Sequence, residues 1–493
     1  MSEVVMTQQG AVRGEQHDDI RVWKGIPFAA PPVGERRFWP PAPPAAWTGE
    51  RDATRYGAVA TQSRDPRMAM MSGVTEKVAS GEDCLVLNVF APLASDPGHG
   101  AWPVMVWLHG GAFVFGSGST PLYHGLGFAE QGIVVVTINY RLGIPGLLYL
   151  GDLAPGRDEG NYLLLDQIAA LRWVQDNIAA FGGDPRAVTV AGESAGAISI
   201  AHLLAMPAAR GLFARAILES GAGSLSPPDR AGATALAREV LAELGVTVDQ
   251  LDTVPIDQIY AAQEKLSARI GLSAFAPYVD GVTVPGNPTA LVQGGSAAGV
   301  PLLLGTNRDE WTLFEVFFGE VTVEPFKRIL GHRLGDRLAP MLAAYRAAHP
   351  HKPELRAWVD MIGDAVFRLP VIRLAEAQVA HAPVFLYRFD WRSPAFGGRL
   401  GAAHALELPF VWNRLDLPAS QILLGDSLLH GQALATLIHH TWAAFIKTGD
   451  PNGAGLPAWP RYDAERRATM LLDRECQVVD DPAGDVRAMW PTW

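Results

Sequence analysis

The feature that most constrains this chain is an alternation. Short, continuous apolar runs, PVMVWL (103–108), IVVVTI (133–138) and AVTVA (187–191), end in glycine or polar residues, as buried strands do. Before the third of them lies LLLDQIAALRWVQDNIAAF (163–181), which sets Leu164, Ile168, Leu171, Val174 and Ile178 at three- and four-residue steps along one helix face. Strands alternating with helices predict an α/β chain with a mostly parallel sheet and helices on both sides. The runs AILES (216–220), VPLLLG (300–305) and VFLYRF (384–389) extend the pattern. Two helix-rich stretches with weaker signals, roughly 228–268 and 321–381, read as insertions that cap the sheet. The whole of 1–493 is therefore expected to be one domain, although length alone would favour about three.

Composition narrows the function classes. Of 493 residues 48% are hydrophobic, so a large core is available. Lys and Arg total 40 against 51 Asp and Glu, a net charge of −11, which argues against nucleic acid and anionic membrane surfaces as partners. The N-terminal MSEVVMTQQG lacks the basic-then-apolar pattern of a signal peptide, and no apolar stretch approaches the roughly 18 residues of a membrane span. Two cysteines, Cys84 and Cys476, are too few for a disulfide framework or a Cys-rich zinc site. The expectation is a cytoplasmic protein, monomeric or weakly self-associating, with no metal and no cofactor.

Chemistry enters at VTVAGESAGAIS (188–199), where Ser194 stands between Gly192 and Gly196. Serine is also an ordinary helix N-cap, and G-x-S-x-G arises by chance. The context favours a nucleophile. A strand precedes the motif and a helix-forming stretch follows it, the setting in which a tight turn holds a serine hydroxyl exposed. The helix N-terminus would also stabilise developing negative charge. A serine nucleophile needs a base oriented by an acid, and donors for an oxyanion. The loop His109-Gly110-Gly111-Ala112, following a strand, is small enough to aim backbone N–H groups at a substrate carbonyl, together with that of Ala195.

Longer motifs then resemble one family. GIPFAAPPVGERRF (25–38), EDCLVLNVF (82–90), FGGDPRAVTVAGESAGA (181–197), GTNRDE (305–310), HALELPF (404–410) and WAAFIKTGDPN (442–452) are similar, in order, to signatures of the type-B carboxylesterases, the cholinesterase-like branch of the α/β-hydrolases. The resemblance runs almost end to end and is nearest to bacterial members acting on aryl and protecting-group esters. It implies the α/β-hydrolase fold and a small-molecule ester as substrate, with Glu310 as triad acid and His404 as base. Gly111 and Ala112 become the loop donors of the oxyanion hole, with Gly110 holding the turn. Glu193 and Ser220 become polar groups behind the nucleophile, or simply satisfied buried residues. Arg37 with Glu82 and Arg141 with Asp166 resemble structural ion pairs of the family.

Departures from the pattern carry information. Ala60 stands where secreted relatives have the partner of the EDC cysteine, so Cys84 is expected to be a buried free thiol, in keeping with a reducing compartment. The loop between Ala60 and Cys84 has no tryptophan to face a quaternary ammonium, which argues against choline esters. It offers Met68, Met70 and Met71, suited to varied apolar groups or to plain packing. Trp311 and Leu163 replace usual glycines. Phe113, Phe115, Trp311, Phe314, Met361 and Phe367 are candidate pocket walls, with ordinary core packing as the alternative. Two further readings stay open: a catalytically dead recognition protein, against which the complete triad argues, and an amide, carbamate or lactone substrate.

Overall fold

A computed structural model of the chain describes residues 2–17, 20–63, 78–93, 100–223, 227–270, 275–318, 324–348, 354–425 and 428–491. All six apolar runs are strands of one sheet, which among these residues contains thirteen. In chain order these are β1 (Ser2–Thr7), β2 (Gly10–His17), β3 (Ile20–Pro27), β4 (Glu50–Asp52), β5 (Val86–Pro92), β6 (Trp102–Leu108) and β7 (Val134–Ile138). They continue with β8 (Gly183–Glu193), β9 (Arg215–Glu219), β10 (Leu302–Asn307), β11 (Val384–Phe389), β12 (Ala468–Leu472) and β13 (Gln477–Asp480). Their order across the sheet is β1-β2-β3-β5-β7-β6-β8-β9-β10-β11-β12-β13, with β4 beside β2.

From β7 to β12 every neighbour is parallel. That stretch holds the β-branched runs, whose residues are shielded by helices on both faces. The first strands, β1 to β3, β5 and β7, pair antiparallel, as does β13 on β12. Strand β2 buries Ala11, Val12 and Gly14 and leaves its other positions half-buried or exposed, so it carries no continuous apolar run. The sheet is mostly parallel at its centre and mixed at its ends.

Helix α1 (Tyr162–Asn177) buries Leu164, Ile168, Leu171 and Val174, the face expected from their spacing. It also buries Tyr162, Asp166, Gln167 and Trp173, because it is covered on more than one side. Asp166 receives Arg141 at 2.6 and 2.8 Å, and Glu82 receives Arg37, whose guanidinium also donates to the carbonyl of Val254 at 2.7 Å. Cys84 is a buried free thiol, and burial pushes its pKa far above the usual thiol value.

The two insertions differ. Helices Arg230–Leu244 and Ile256–Ile270 send Ala237, Val240, Ile259 and Leu266 into the main core. The second begins with helices Glu324–Leu334, Leu338–Ala348 and Glu354–Gly363, which form a separate apolar cluster of Leu330, Leu334, Met341, Tyr345, Trp358, Met361 and Ile362. Val486 and Trp490 from the C-terminal end complete it. Residues Leu369–Gln378 form a helix whose Val371, Leu374 and Ala375 join the main core, as the crossover between β10 and β11.

Candidate active site

The strand β8 stops at Glu193, and helix α2 (Ala195–Ala205) starts two residues later. Between them Ser194 has φ 53° and ψ −118°, a conformation costly for a residue with a side chain. Close packing imposes it. A Cβ on Gly192 would lie 2.7 Å from the carbonyl oxygen of Leu108, and one on Gly196 only 2.0 Å from the same atom. The backbone N–H of Ser194 donates to the carbonyl of Glu219 at 2.8 Å. Its hydroxyl makes no capping bond to α2, so the plain N-cap alternative fails.

The glycine-rich loop after β6 lies against this turn. A Cβ on Gly110 would meet Glu193 Oε2 at 2.4 Å and Ser194 Cβ at 3.2 Å. Gly111, Ala112 and Phe113 have φ of 117°, 50° and 64°, and the N–H groups of Val114 and Phe115 return to the carbonyl of Gly111. The N–H groups of Gly111, Ala112 and Ala195 have no acceptor among the described residues. His109 anchors the loop: its ring stacks on Tyr140 at 4.3 Å, and its carbonyl accepts the Tyr140 hydroxyl at 2.5 Å. Burial lowers its pKa to about 4, so it stays neutral.

Two loops beyond the strands bring in the other charged groups. Glu310 follows β10; its Oε1 accepts the backbone N–H of Asn307 at 2.8 Å, and its Oε2 lies 2.7 Å from His404 Nδ1. The backbone N–H of His404 donates to the carbonyl of Glu310 at 3.2 Å, so both main chain and side chain tie His404 to Glu310. His404 Nε2 lies 3.1 Å from Glu193 Oε1, outside hydrogen-bond alignment. It therefore faces the corner where Glu193 precedes Ser194. Among the described residues no hydrogen bond joins it to the serine hydroxyl; such contacts are often loose without substrate. Burial alone would lower the pKa of His404, but the charges of Glu193 and Glu310, and the Glu310 hydrogen bond, outweigh it and raise it to about 9.

The model of the carboxylesterase family matches residues 1–489. The chain belongs to the carboxylesterase family. It is a carboxylic-ester hydrolase with the α/β-hydrolase fold. It is 41% identical to a para-nitrobenzyl esterase of Bacillus subtilis over 98% of each chain, and 34% identical to a phenmedipham hydrolase of Pseudarthrobacter oxydans over 97% of each. Among solved structures it matches a PNB esterase with a TM-score of 0.89 at 40% identity, covering 100% of both chains. The carboxylesterase EST55 of Geobacillus stearothermophilus matches with a TM-score of 0.88, also at 40% identity, over 99% of this chain and 100% of that one.

Around the carboxylesterase imidazole the structure gathers three of the six aromatic and methionine candidates. The ring of Phe367 lies 4.5 Å from that of His404 and Phe314 lies 5.4 Å from it, with Trp311 4.7 Å from Phe314. Phe113 and Phe115 are buried in the main core under the glycine loop, and Met361 is buried in the capping cluster. Met68, Met70 and Met71 lie outside the described residues.

Reading the motifs left other site groups unnoticed. Glu407, in HALELPF, accepts from Asn307 Nδ2, and Glu219, in AILES, accepts the indole N–H of Trp442 at 2.7 Å. Both are buried, and nothing local separates a buried glutamate from a solvated one. Ser220, expected with Glu193 from the family motifs, has φ 51° and a buried hydroxyl with no partner among the described residues. Asp309 adds a brace: its backbone N–H donates to the carbonyl of Ala402, its Oδ2 accepts the N–H of Ala402 at 3.0 Å, and Arg356 from the capping helix pairs with its other oxygen.

Proposed function

We propose that this carboxylesterase works through a Ser194–His404–Glu310 triad and an acyl-enzyme. Ser194 attacks the ester carbonyl while His404 Nε2 takes its proton, and Glu310 orients and stabilises the imidazolium through Nδ1. The N–H groups of Gly111, Ala112 and Ala195 hold the oxyanion. The imidazolium returns the proton to the leaving alcohol, and water, activated by the same imidazole, then releases the acid. The observation that carries the reading is the strained, uncapped Ser194, with the Gly110 loop against its Cβ and the His404–Glu310 pair at the adjoining residue.

The substrate class we infer is an uncharged ester with a short to medium acyl or an aryl group. The flat apolar rings of Phe314 and Phe367 beside the base support it, as does the absence of tryptophan between Ala60 and Cys84. The similarity to a para-nitrobenzyl esterase points the same way. Purified Ser194→Ala should lose on the order of 10⁴-fold or more of kcat on a p-nitrophenyl ester. Near-normal turnover by a folded variant defeats the assignment. A rate series of p-nitrophenyl esters of rising chain length, beside an acylcholine, tests the substrate class; acylcholine preference overturns it.

A further inference from the structure

Four glutamates meet behind the nucleophile turn, and the triad uses one of them. Glu193 and Glu219 are register partners at the ends of β8 and β9. Glu219 lies opposite Gly305 on β10, and Gly305 opposite Tyr387 on β11. Positions in register across a sheet face the same side. The row is thus Glu193, Glu219, a gap at Gly305, and Tyr387, whose ring fills the gap: a Cβ on Gly305 would lie 2.4 Å from it. Glu407 and Glu310 both act electrostatically on this row, and Glu193, Glu219, Glu310 and Glu407 are all at most 3% exposed.

Donors are scarce here. One oxygen of Glu219 accepts from Trp442 and one of Glu407 from Asn307. Among the described residues Glu219 Oε2, Glu407 Oε1, Glu193 Oε1, Ser220 Oγ, Asn307 Oδ1 and Tyr387 OH are buried without hydrogen-bond partners. Among the described residues no lysine or arginine pairs with any of the four carboxyls, and His404 is the basic group in contact with them. Four buried anions against at most one cation is an unfavourable arrangement, and a group so placed takes up a proton instead. Carboxyls that share a site divide into charged and neutral members.

We propose that Glu219 is a neutral carboxylic acid at pH 7, its O–H donated into this ring of unpartnered oxygens, and that it is a positioning residue for Glu193 and the Ser194 turn. Its main chain already does part of that work by accepting the Ser194 N–H. The groups that bear on it are Glu193 from β8, Tyr387 from β11, Glu407 from the loop that carries His404, Trp442 from helix Leu428–Thr448, and Tyr123. Burial moves its pKa far up, Glu407 adds to this, the indole N–H of Trp442 opposes it and Glu193 adds again. Glu407, raised to about 8 by burial and by the charges of Glu193 and Glu310, is its natural companion. With Glu219 neutral, Glu310 and Glu193 are the carboxyls in contact with His404; burial raises the pKa of Glu193 itself to about 7, and the charge of His404 opposes that rise.

The link to His404 rests on the triad reading, whereas the proton on Glu219 is read without catalysis. Infrared difference spectra of the full chain at pH 7, wild type against Glu219→Gln, should show the C=O stretch of a protonated carboxyl that the variant lacks. In the kcat/KM profile, Glu219→Gln should leave the acid limb at its wild-type pH, because glutamine replaces a neutral acid with a neutral amide. Absence of the band overturns the proposal, as does a limb displaced downward by about one pH unit, the mark of a lost anion. Should Glu219→Gln fail to fold, the wild-type band is followed from pH 4 to 8. Its persistence above pH 6 in both the wild type and the Glu193→Gln/Glu407→Gln double variant supports the proposal, and its complete loss from that variant near the ordinary glutamate value of about 4.3 overturns it. A defect in Ser194 chemistry leaves the band untouched, so the two readings fail separately.

Discussion

The ends of the parallel strands and the capping helices of 324–363 solve different problems. At the strand ends each chemical group is fixed by backbone that cannot move far: Ser194 by the collisions awaiting a Cβ at Gly192 and Gly196, Glu310 by the N–H of Asn307, His404 by the carbonyl of Glu310. The cap has its own apolar cluster and pairs Arg356 with Asp309 beside Glu310, and the turn that follows it, Asp364–Arg368, sets the Phe367 ring beside His404. In the proposed reading the reacting groups sit on the strand-end layer, and the Phe367 part of the apolar wall sits next to the cap. A site built on strand ends tolerates little displacement; a wall tolerates more.

That contrast can be broken by four substitutions. The largest effect is expected from Gly110→Ala in the strand-end layer. Its methyl group would displace the loop from Glu193 and Ser194 and spoil the oxyanion donors, costing on the order of 10²- to 10³-fold in kcat with the fold intact by circular dichroism. A loss below about tenfold would show the loop to be as tolerant as the cap.

Arg356→Gln is next and tests the cap. It leaves Asp309 buried with a weakened partner set, an expected loss of about 3 kcal/mol read as a fall in Tm, with kcat changed less than about tenfold. A collapse of kcat without loss of stability would place the cap within the chemical layer.

Glu193→Gln returns to the strand ends with a sign that can be worked out. The charge of Glu193 is the chief influence raising the His404 pKa, and the base must be neutral to act, so the wild-type acid limb of kcat/KM should lie above the ordinary histidine value of about 6.5. Removing that charge lets the imidazole lose its proton at lower pH, and the limb moves down by about one unit, about 1.4 kcal/mol. An unmoved limb would mean that Glu193 carries no charge against the imidazole. The smallest effect is expected from Phe367→Leu, about 1 kcal/mol in the ratio of kcat/KM for bulky and short esters, with kcat on the short ester nearly unchanged.

Legibility followed the range of the interaction. Ser194 and the Gly110–Ala112 loop could be read from short motifs because their conformation is set within a few residues. Glu310 and His404 were reached through family motifs rather than spacing, since their contact joins positions 94 apart and thirteen histidines compete for the role. Glu219 and Glu407 sit inside motifs that were recognised, yet their burial was invisible there. The antiparallel strands β1 to β3 are not legible in the sequence because half-polar strands lack an apolar run, and the crossover helix Leu369–Gln378 does not stand apart from the cap because one amphipathic helix looks like another.

By itself the sequence determined the strand–helix alternation, the tight serine turn, the glycine loop and the family, all properties of local backbone sterics and ordered motifs. Tertiary structure alone decided which carboxyls face the imidazole, which aromatic rings flank it and which buried oxygens lack donors. Those outcomes depend on register across β8 to β11 and on loops meeting beyond the strand ends, where position in space, and not residue type, sets the charge state of a glutamate.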